Sequence, residues 1–211
     1  TESLPQIFAK ELGELLTIAA RDVQLEIICP RGVKPLGFIG RTETFENQRS
    51  VVKLSHLTSG QTRTLFLRCR VVEETPEIAQ VNVAYADEIE GGSQNSQATL
   101  RVRFTEDREV ASRSVNKAVI AEKELFYTGV LKDEALADAD AGNLAAAASK
   151  LKKQSIILQN NVQYAPAPAQ AAMERELKNL EDRSQQLESG RYDAPTRKAL
   201  SSESFSTRNS K

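Results

Sequence analysis

The sequence predicts an α+β protein in which antiparallel strands come first and helices follow. Three observations carry this prediction. Apolar and polar residues alternate, with a period of two, in several segments between residues 22 and 104. Turn residues separate these segments at a spacing of roughly ten residues, which is typical of β-sandwiches. After residue 104 the apolar period changes to about 3.6, which indicates helices.

The strands form the first predicted layer. The clear strands are 22–29, 64–71, 80–85 and 99–104, and two weaker strands are 35–40 and 51–54. One side of each clear strand is apolar, and the other side carries mostly charged or amide groups, as in antiparallel strands that separate a core from water. No helical pattern lies between the strands, so we expect an Ig-like β-sandwich rather than a parallel sheet.

Helices are predicted on both sides of the sandwich. An apolar stripe at 3-4 spacing predicts an N-terminal helix over residues 4–20. A C-terminal three-helix bundle is predicted over 114–141, 143–163 and 169–188, because short loops join helices with matching stripes. The predicted domains are an N-terminal helix (1–21), a sandwich (22–106), a helical bundle (107–190) and a polar, disordered tail (191–211).

Composition limits the possible functions. Lys and Arg together number 28 and Asp and Glu number 29, so no overall basic field attracts nucleic acid. No apolar run approaches the ~20 residues of a membrane span, and no leader is visible, so we expect a cytoplasmic protein. Cys29 and Cys69 fall on inward-facing strand positions. They allow a disulfide across the sandwich, but two buried free thiols in a reducing compartment are favoured.

No catalytic or metal-binding constellation is recognisable. His56 is the single histidine, and no nucleophile elbow accompanies it. Acidic residues form two clusters. The first contains Asp133, Glu134, Asp138 and Asp140, and the second contains Asp87, Glu88 and Glu90. Neither cluster has the ligand spacing of a calcium loop, so both are interpreted as solvated faces. We therefore expect no enzyme activity, no cofactor and no metal site in this chain.

Four arginines are the candidate interaction residues. Arg68 and Arg70 share one face of their strand, and Arg101 and Arg103 share one face of theirs. If these two strands pair, the arginines form a patch for a phosphate or an acidic partner. Cross-strand ion pairs with Glu or Asp are the alternative interpretation.

Several stretches, taken in order, resemble the region that follows the von Willebrand factor type A (VWA) domain in a group of bacterial VWA proteins. They are IFAKELGELL (7–16), DVQLEI (22–27), L-x-SGQ-x-R (57–63), LRVRFT (100–105), AS-x2-VN (111–116) and RKAL…SFST (197–207).

The resemblance implies that residues 1–20 are the last helix of a VWA domain whose body is absent. It also implies a β-sandwich and an accessory helical bundle after that helix. VWA domains bind partners through Mg²⁺ held by a D-x-S-x-S motif and more distant ligands. The chain contains no D-x-S-x-S motif, so the resemblance assigns none of its residues to the metal.

Two functions of different classes follow. The first is a non-enzymatic protein-interaction or scaffold region that supports metal-dependent partner binding by the VWA module. Its expected partners are a protein and the VWA module of the same protein. The second is a carbohydrate- or small-ligand-binding sandwich that uses loops 41–50 and 87–97, with polar groups converging at one end of the sandwich.

Overall fold

The structure, a computed structural model, describes residues 17–209, without the side chain of the last of these. The chain divides into two compact units, the first ending at Glu106 and the second beginning at Asp107. Among the described residues, the first unit holds six strands and the second holds five helices. The predicted order of strands followed by helices is therefore confirmed.

The strands are β1 (Ile18–Ile28), β2 (Val33–Phe38), β3 (Arg49–Thr58), β4 (Leu67–Val71), β5 (Glu77–Asp87) and β6 (Ser93–Arg101). The helices are α1 (Arg108–Arg113), α2 (Lys117–Asp140), α3 (Leu144–Val162), α4 (Ala167–Glu188) and α5 (Ala194–Asn209).

The strands form two antiparallel sheets. One sheet has four strands in the order β3-β1-β5-β6, and the other pairs β2 with β4. Apolar side chains from both sheets meet in one core, which includes Ile27, Val33, Val52 and Ala79. The two sheets therefore share a hydrophobic core, as layered β-folds require. The finer prediction of an Ig-like topology is not established by this four-plus-two arrangement.

Two boundary predictions in the strand unit are wrong. Residues 18–20 belong to β1 rather than to the predicted N-terminal helix, because Ile18 and Ala20 pair with Thr58 and Leu57 on β3. The rest of that predicted helix lies largely outside the described residues. Residues 93–97 belong to β6 rather than to a loop, because pairing with β5 overrides the low strand propensity of Ser, Asn and Gln.

The helical unit is built on a second apolar core. Fully buried leucines and a methionine come from α3, α4 and α5, and they are Leu151, Leu158, Met173, Leu180, Leu187 and Leu200. Asn116 caps α2 by accepting hydrogen bonds from the backbone amides of Ala118 and Val119, which satisfies two donors that the helix start leaves free. Gly142 and Gly190, with φ of 84° and 75°, follow the ends of α2 and α4.

The C-terminal segment corrects the predicted three-helix bundle and disordered tail. Residues 194–209 form α5, a helix that packs into the core of this unit through Leu200 and Ser204. The sequence prediction was wrong because the buried stripe of α5 is mostly Ser and Thr, and the Ser204 and Thr207 hydroxyls bond to Gly129 and Glu176 on other helices. None of the helices in residues 17–209 is long and apolar enough to cross a membrane.

Candidate interaction surface

The structure separates the four candidate arginines into two pairs. β4, which carries Arg68 and Arg70, pairs with β2, whereas β6, which ends at Arg101, pairs with β5. The two strands belong to different sheets. The condition for a four-arginine patch, pairing of these two strands, is therefore not met.

Arg101 makes an ordinary cross-strand ion pair. Its residue lies opposite Glu77 in the β5–β6 register, and the guanidinium Nη2 lies 2.8 Å from the Glu77 Oε1. Both side chains are largely exposed, so this pair contributes little to stability. The alternative interpretation of cross-strand pairing is correct for Arg101, and Arg103 lies exposed just beyond the end of β6.

Arg68 and Arg70 form a basic face on the smaller sheet together with Lys34. In the β2–β4 register, Lys34 lies directly opposite Arg70, and Gly37 lies opposite Arg68. All three side chains are exposed, while the intervening Cys69 packs on the core. We call Lys34, Arg68 and Arg70 the basic face.

The basic face carries three positive charges that have no ion-pair partner among the described residues. Within residues 17–209, no Asp or Glu forms an ion pair with Lys34, Arg68 or Arg70. Like charges directly opposite each other on paired strands are destabilising. Beside Arg68, a Cβ added to Gly37 would meet no atom within 4 Å. The surface there is open to a ligand.

Lys34 was missed by the sequence reasoning because the weak strand was predicted to begin at residue 35. The observed β2 begins at Val33, and Lys34 follows a fully buried Val33, so alternation turns its side chain to the outer face. A strand extended by two residues would have revealed the third cation.

The loop between β2 and β3 is fastened by its own side chains. Arg41 donates hydrogen bonds to Glu43, and this interaction lowers the pKa of the Glu43 carboxyl. Phe45 stacks on Phe38 with the ring centroids 5.4 Å apart. Gln48 Nε2 donates to the Pro30 carbonyl at 2.9 Å and also to the Val33 carbonyl. Several polar side chains of residues 41–50 that were predicted to bind a ligand instead form hydrogen bonds within the protein.

The two cysteines are free thiols, with Cys29 buried and Cys69 half-buried. Burial raises the pKa of the Cys29 thiol, and the neighbouring Cys69 raises it further. Burial also raises the pKa of Cys69. Both groups are therefore held as neutral thiols that pack as small apolar side chains.

The acidic residues at the end of α2 are paired with cations of the helical unit. Lys150 lies 2.7 Å from Asp138 and 3.6 Å from Glu134, and Arg208 lies 2.8 Å from Asp133. Within the part of the chain that the structure describes, no group of three or more His, Cys, Asp or Glu side chains is placed to hold a metal ion. His56 lies exposed on β3, opposite Arg21.

Asp140 is clamped by two residues from the segment around the start of α5. Arg197 donates two hydrogen bonds of 2.8 Å to its two oxygens, and the Tyr192 hydroxyl donates a third. These bonds, those from Arg197 first, lower the pKa of Asp140 to about 2. Burial, together with the hydrogen bond to Asp140, raises the pKa of Tyr192 to about 12.

The Asp140 clamp should make stability depend on acidity. An unfolded aspartate titrates near pH ~4, so the clamp contributes fully above that pH and is lost as pH falls towards about 2. We expect the melting temperature of Asp140→Asn to fall less between pH ~5 and pH ~2 than that of the original chain. Thermal melts at a series of pH values measure this, and equal slopes for the two chains would contradict it.

Comparisons with known proteins complete the description of the fold. No family model matches the chain, and no curated relative matches it. The solved structures similar to this chain include the following two. The von Willebrand factor type A protein from Catenulispora acidiphila is 16% identical, with a TM-score of 0.50 over 86% of this chain and 41% of that one. The ArnB paralog VWA2 from Sulfolobus acidocaldarius is 16% identical, with a TM-score of 0.48 over 97% of this chain and 46% of that one.

These likenesses concern the fold. At 16% identity, the Catenulispora structure shows that the described fold occurs within a VWA protein, and it shows nothing of shared activity. The chain spans less than half the length of either structure. The resemblance stated from the sequence is thus supported at the level of a VWA-like fold.

Proposed function

We propose that this chain is a non-enzymatic protein-interaction and scaffold region that works beside the metal-binding module of a VWA protein. The fold shared with part of the Catenulispora VWA protein supports this. Because the chain lacks a D-x-S-x-S motif, its residues do not fit the Mg²⁺ site of such a module. In this proposal the region positions the metal-dependent module and adds a contact of its own.

The observation that carries the proposal is the basic face. Lys34 and Arg70 lie opposite each other on exposed strand positions, an arrangement that weakens the sheet. A partner segment rich in Asp or Glu would neutralise both charges together with Arg68. The arrangement therefore favours an acidic protein segment as the ligand, recognised chiefly by electrostatic complementarity.

Arginine suits this role better than lysine. Each guanidinium offers a planar fork of donors that binds a carboxylate through two hydrogen bonds. Arg68 and Arg70 project from one face of β4 at positions two residues apart, about 7 Å along the strand. Carboxylates at alternate positions of an extended acidic segment would match this spacing.

The geometry gives less support to a carbohydrate- or small-ligand-binding sandwich. Residues 93–97 of the predicted ligand loop are part of β6, and the loop between β2 and β3 uses Arg41, Glu43 and Gln48 to hold itself in place. Fewer polar groups are thus available to converge on a ligand than the sequence suggested.

Binding of a fluorescent poly-glutamate peptide to the full chain tests the proposal. We expect the double substitution R68E/R70E to weaken binding about tenfold or more, and added salt to weaken binding to the original chain, because exposed charges are screened. The matched control is R101E/R103E, which reverses two charges on the other sheet and should change the affinity little.

A stability readout separates lost binding from lost folding. Arg70→Glu places a carboxylate opposite Lys34, so it should raise the free energy of unfolding by about 0.2–1 kcal/mol. Equal weakening by both double substitutions would remove the basic face as the site. Competition by inorganic phosphate as effective as that by the peptide would replace the acidic protein with a phosphate ligand.

A further inference from the structure

The edge strands of the two sheets differ in how they are protected against pairing with a strand of another chain. Exposed edge strands offer free backbone donors and acceptors, and natural proteins protect them with charge, proline or bulges. β3 carries Arg49 and Lys53, and β4 carries the two arginines of the basic face. β2 carries Lys34 and Pro35, with a register shift just after the proline.

β6 lacks charge, proline and bulges from Ser93 to Leu100, and its one charge, Arg101, lies at its end beside a register shift. From Ser93 to Leu100 the strand is uncharged and contains no proline, and its register with β5 is regular from Ser93 opposite Ala86 to Leu100 opposite Ala79. None of its residues is buried, and Leu100 is 57% exposed. From Ser93 to Leu100, β6 is therefore a regular, uncharged edge, and no other strand of residues 17–209 pairs with its outer side.

We propose that β6 pairs with β6 of a second copy of this chain, antiparallel and related by a two-fold axis. This inference goes beyond the proposed function and does not depend on it. With Gln97 opposite Gln97 of the second copy, Ser96 lies opposite Ala98 and Asn95 opposite Thr99. The two four-stranded sheets then continue as one eight-stranded sheet, and the interface is isologous.

The charges at the two ends of β6 favour pairing with a second copy of this chain. The acidic turn of Asp87, Glu88 and Glu90 precedes β6, and Arg101 and Arg103 lie at its other end. Antiparallel pairing about Gln97 brings the basic end of each copy to the acidic end of the other. The uncharged residues between these ends meet each other, so no like charges face one another along the pairing.

The size of the contact determines how tight the dimer is. β6 has nine residues, so the pairing extends over about 30 Å. An edge-to-edge contact of this length buries less than the ~1,600 Å² of a standard interface, and such contacts form weak complexes. The dimer should therefore dissociate on dilution.

Sedimentation velocity of the full chain over a concentration series tests the pairing. The original chain should form a dimer whose fraction rises with concentration. Gln97→Lys and Gln97→Glu each place like charges opposite each other at the two-fold axis, so each variant alone should be monomeric. An equimolar mixture of the two should dimerise again. The matched control Ala84→Lys adds the same charge on the same sheet face, one strand inside the edge, and should dimerise like the original chain.

Three results would contradict the proposed pairing or its register. A monomeric original chain at every concentration, or a dimer that persists in Gln97→Lys, would overturn it. A mixture that stays monomeric would overturn the register about Gln97. Melting temperatures of the variants equal to that of the original chain would show that the edge, and not the fold, has changed. Poly-glutamate binding should be unaffected in Gln97→Lys, which keeps this result separate from that of the basic face.

Discussion

Replacing Lys132 with methionine should lower the free energy of unfolding of the helical unit by about 3 kcal/mol. Lys132 lies on α2 and is completely buried. Its ammonium group donates a hydrogen bond of 2.5 Å to Glu176 Oε2 on α4 and lies 3.4 Å from Glu203 Oε2 on α5. One amine thus connects three helices, and its removal leaves two carboxylates facing each other without their shared cation.

The expected loss is near the lower end of the range for broken buried ion pairs, because the carboxylates keep other partners. Thr207 donates to the second oxygen of Glu176 at 2.8 Å, and Arg183 binds Glu203 at 2.7 Å. The side chains of Glu176 and Glu203 are 14% and 20% exposed, so water stabilises part of the remaining charge. The total free energy of unfolding of a folded domain is about 5–15 kcal/mol, so the expected loss is still a large part of it.

Urea unfolding measures this effect. The matched control is Lys152→Met on α3, whose amine lies 3.1 Å from Glu188 but is 62% exposed, and it should change stability by less than about 1 kcal/mol. The double substitution K132M/E176Q should recover part of the loss, because it also removes a carboxylate. Equal stabilities for Lys132→Met and Lys152→Met would show that the buried amine does not hold the helices together.

The parts of the fold that were predictable are those in which local pattern and tertiary environment agree. On α3 and α4, apolar residues recur at alternating spacings of four and three, and this periodicity alone identifies Leu151, Leu158, Leu180 and Leu187 as core residues. Period-two alternation likewise indicated β1, β4 and β5, whose alternate residues meet the shared core. The predicted strand 99–104 was wrong, because β6 ends at Arg101 and its apolar Leu100 is 57% exposed.

Helix α2 could not be predicted at this level, because its buried face is partly polar. The apolar Val119 is 48% exposed, whereas Thr128 and Lys132 are fully buried. Their burial is tolerated because Gln154 donates to the Thr128 hydroxyl at 3.0 Å and Glu176 binds Lys132. These partners are 26 and 44 residues away in the chain, and no local period encodes them.

The basic face was likewise predictable only in part from the sequence. Alternation placed Arg68 and Arg70 on one face of a strand, but it could not say which strand lies beside them. Pairing with β2 brought Lys34 to Arg70 and moved Arg101 to another sheet, where it binds Glu77. Strand partners are chosen by non-local packing, so the composition of a patch that spans two strands requires the structure.

Replacing Gly129 with leucine should also destabilise the helical unit by about 3 kcal/mol, although leucine favours helices more than glycine does. α5 crosses α2 at this residue, where the Ser204 hydroxyl donates to the Gly129 carbonyl at 2.9 Å. A Cβ on Gly129 would lie 2.5 Å from Arg208 Cγ and 3.1 Å from the Ser204 carbonyl oxygen. The flexible Arg208 side chain can move aside, but the backbone of α5 cannot without withdrawing Leu200 from the core.

Hydrogen exchange separates this undocking from general destabilisation. In Gly129→Leu, the amides of residues 194–209 should lose protection first, while those of α3 and α4 stay protected until the whole unit unfolds. The matched control is Ala137→Leu, which adds the same side chain at an exposed position of the same helix and should leave stability nearly unchanged. Protection of α5 at the original level in Gly129→Leu would mean that close approach of the two helices at Gly129 is not required for docking. α5 carries Glu203 and Thr207 to the buried Lys132. If Gly129→Leu already undocks α5, then adding Lys132→Met should lower the free energy of unfolding much less than Lys132→Met does alone.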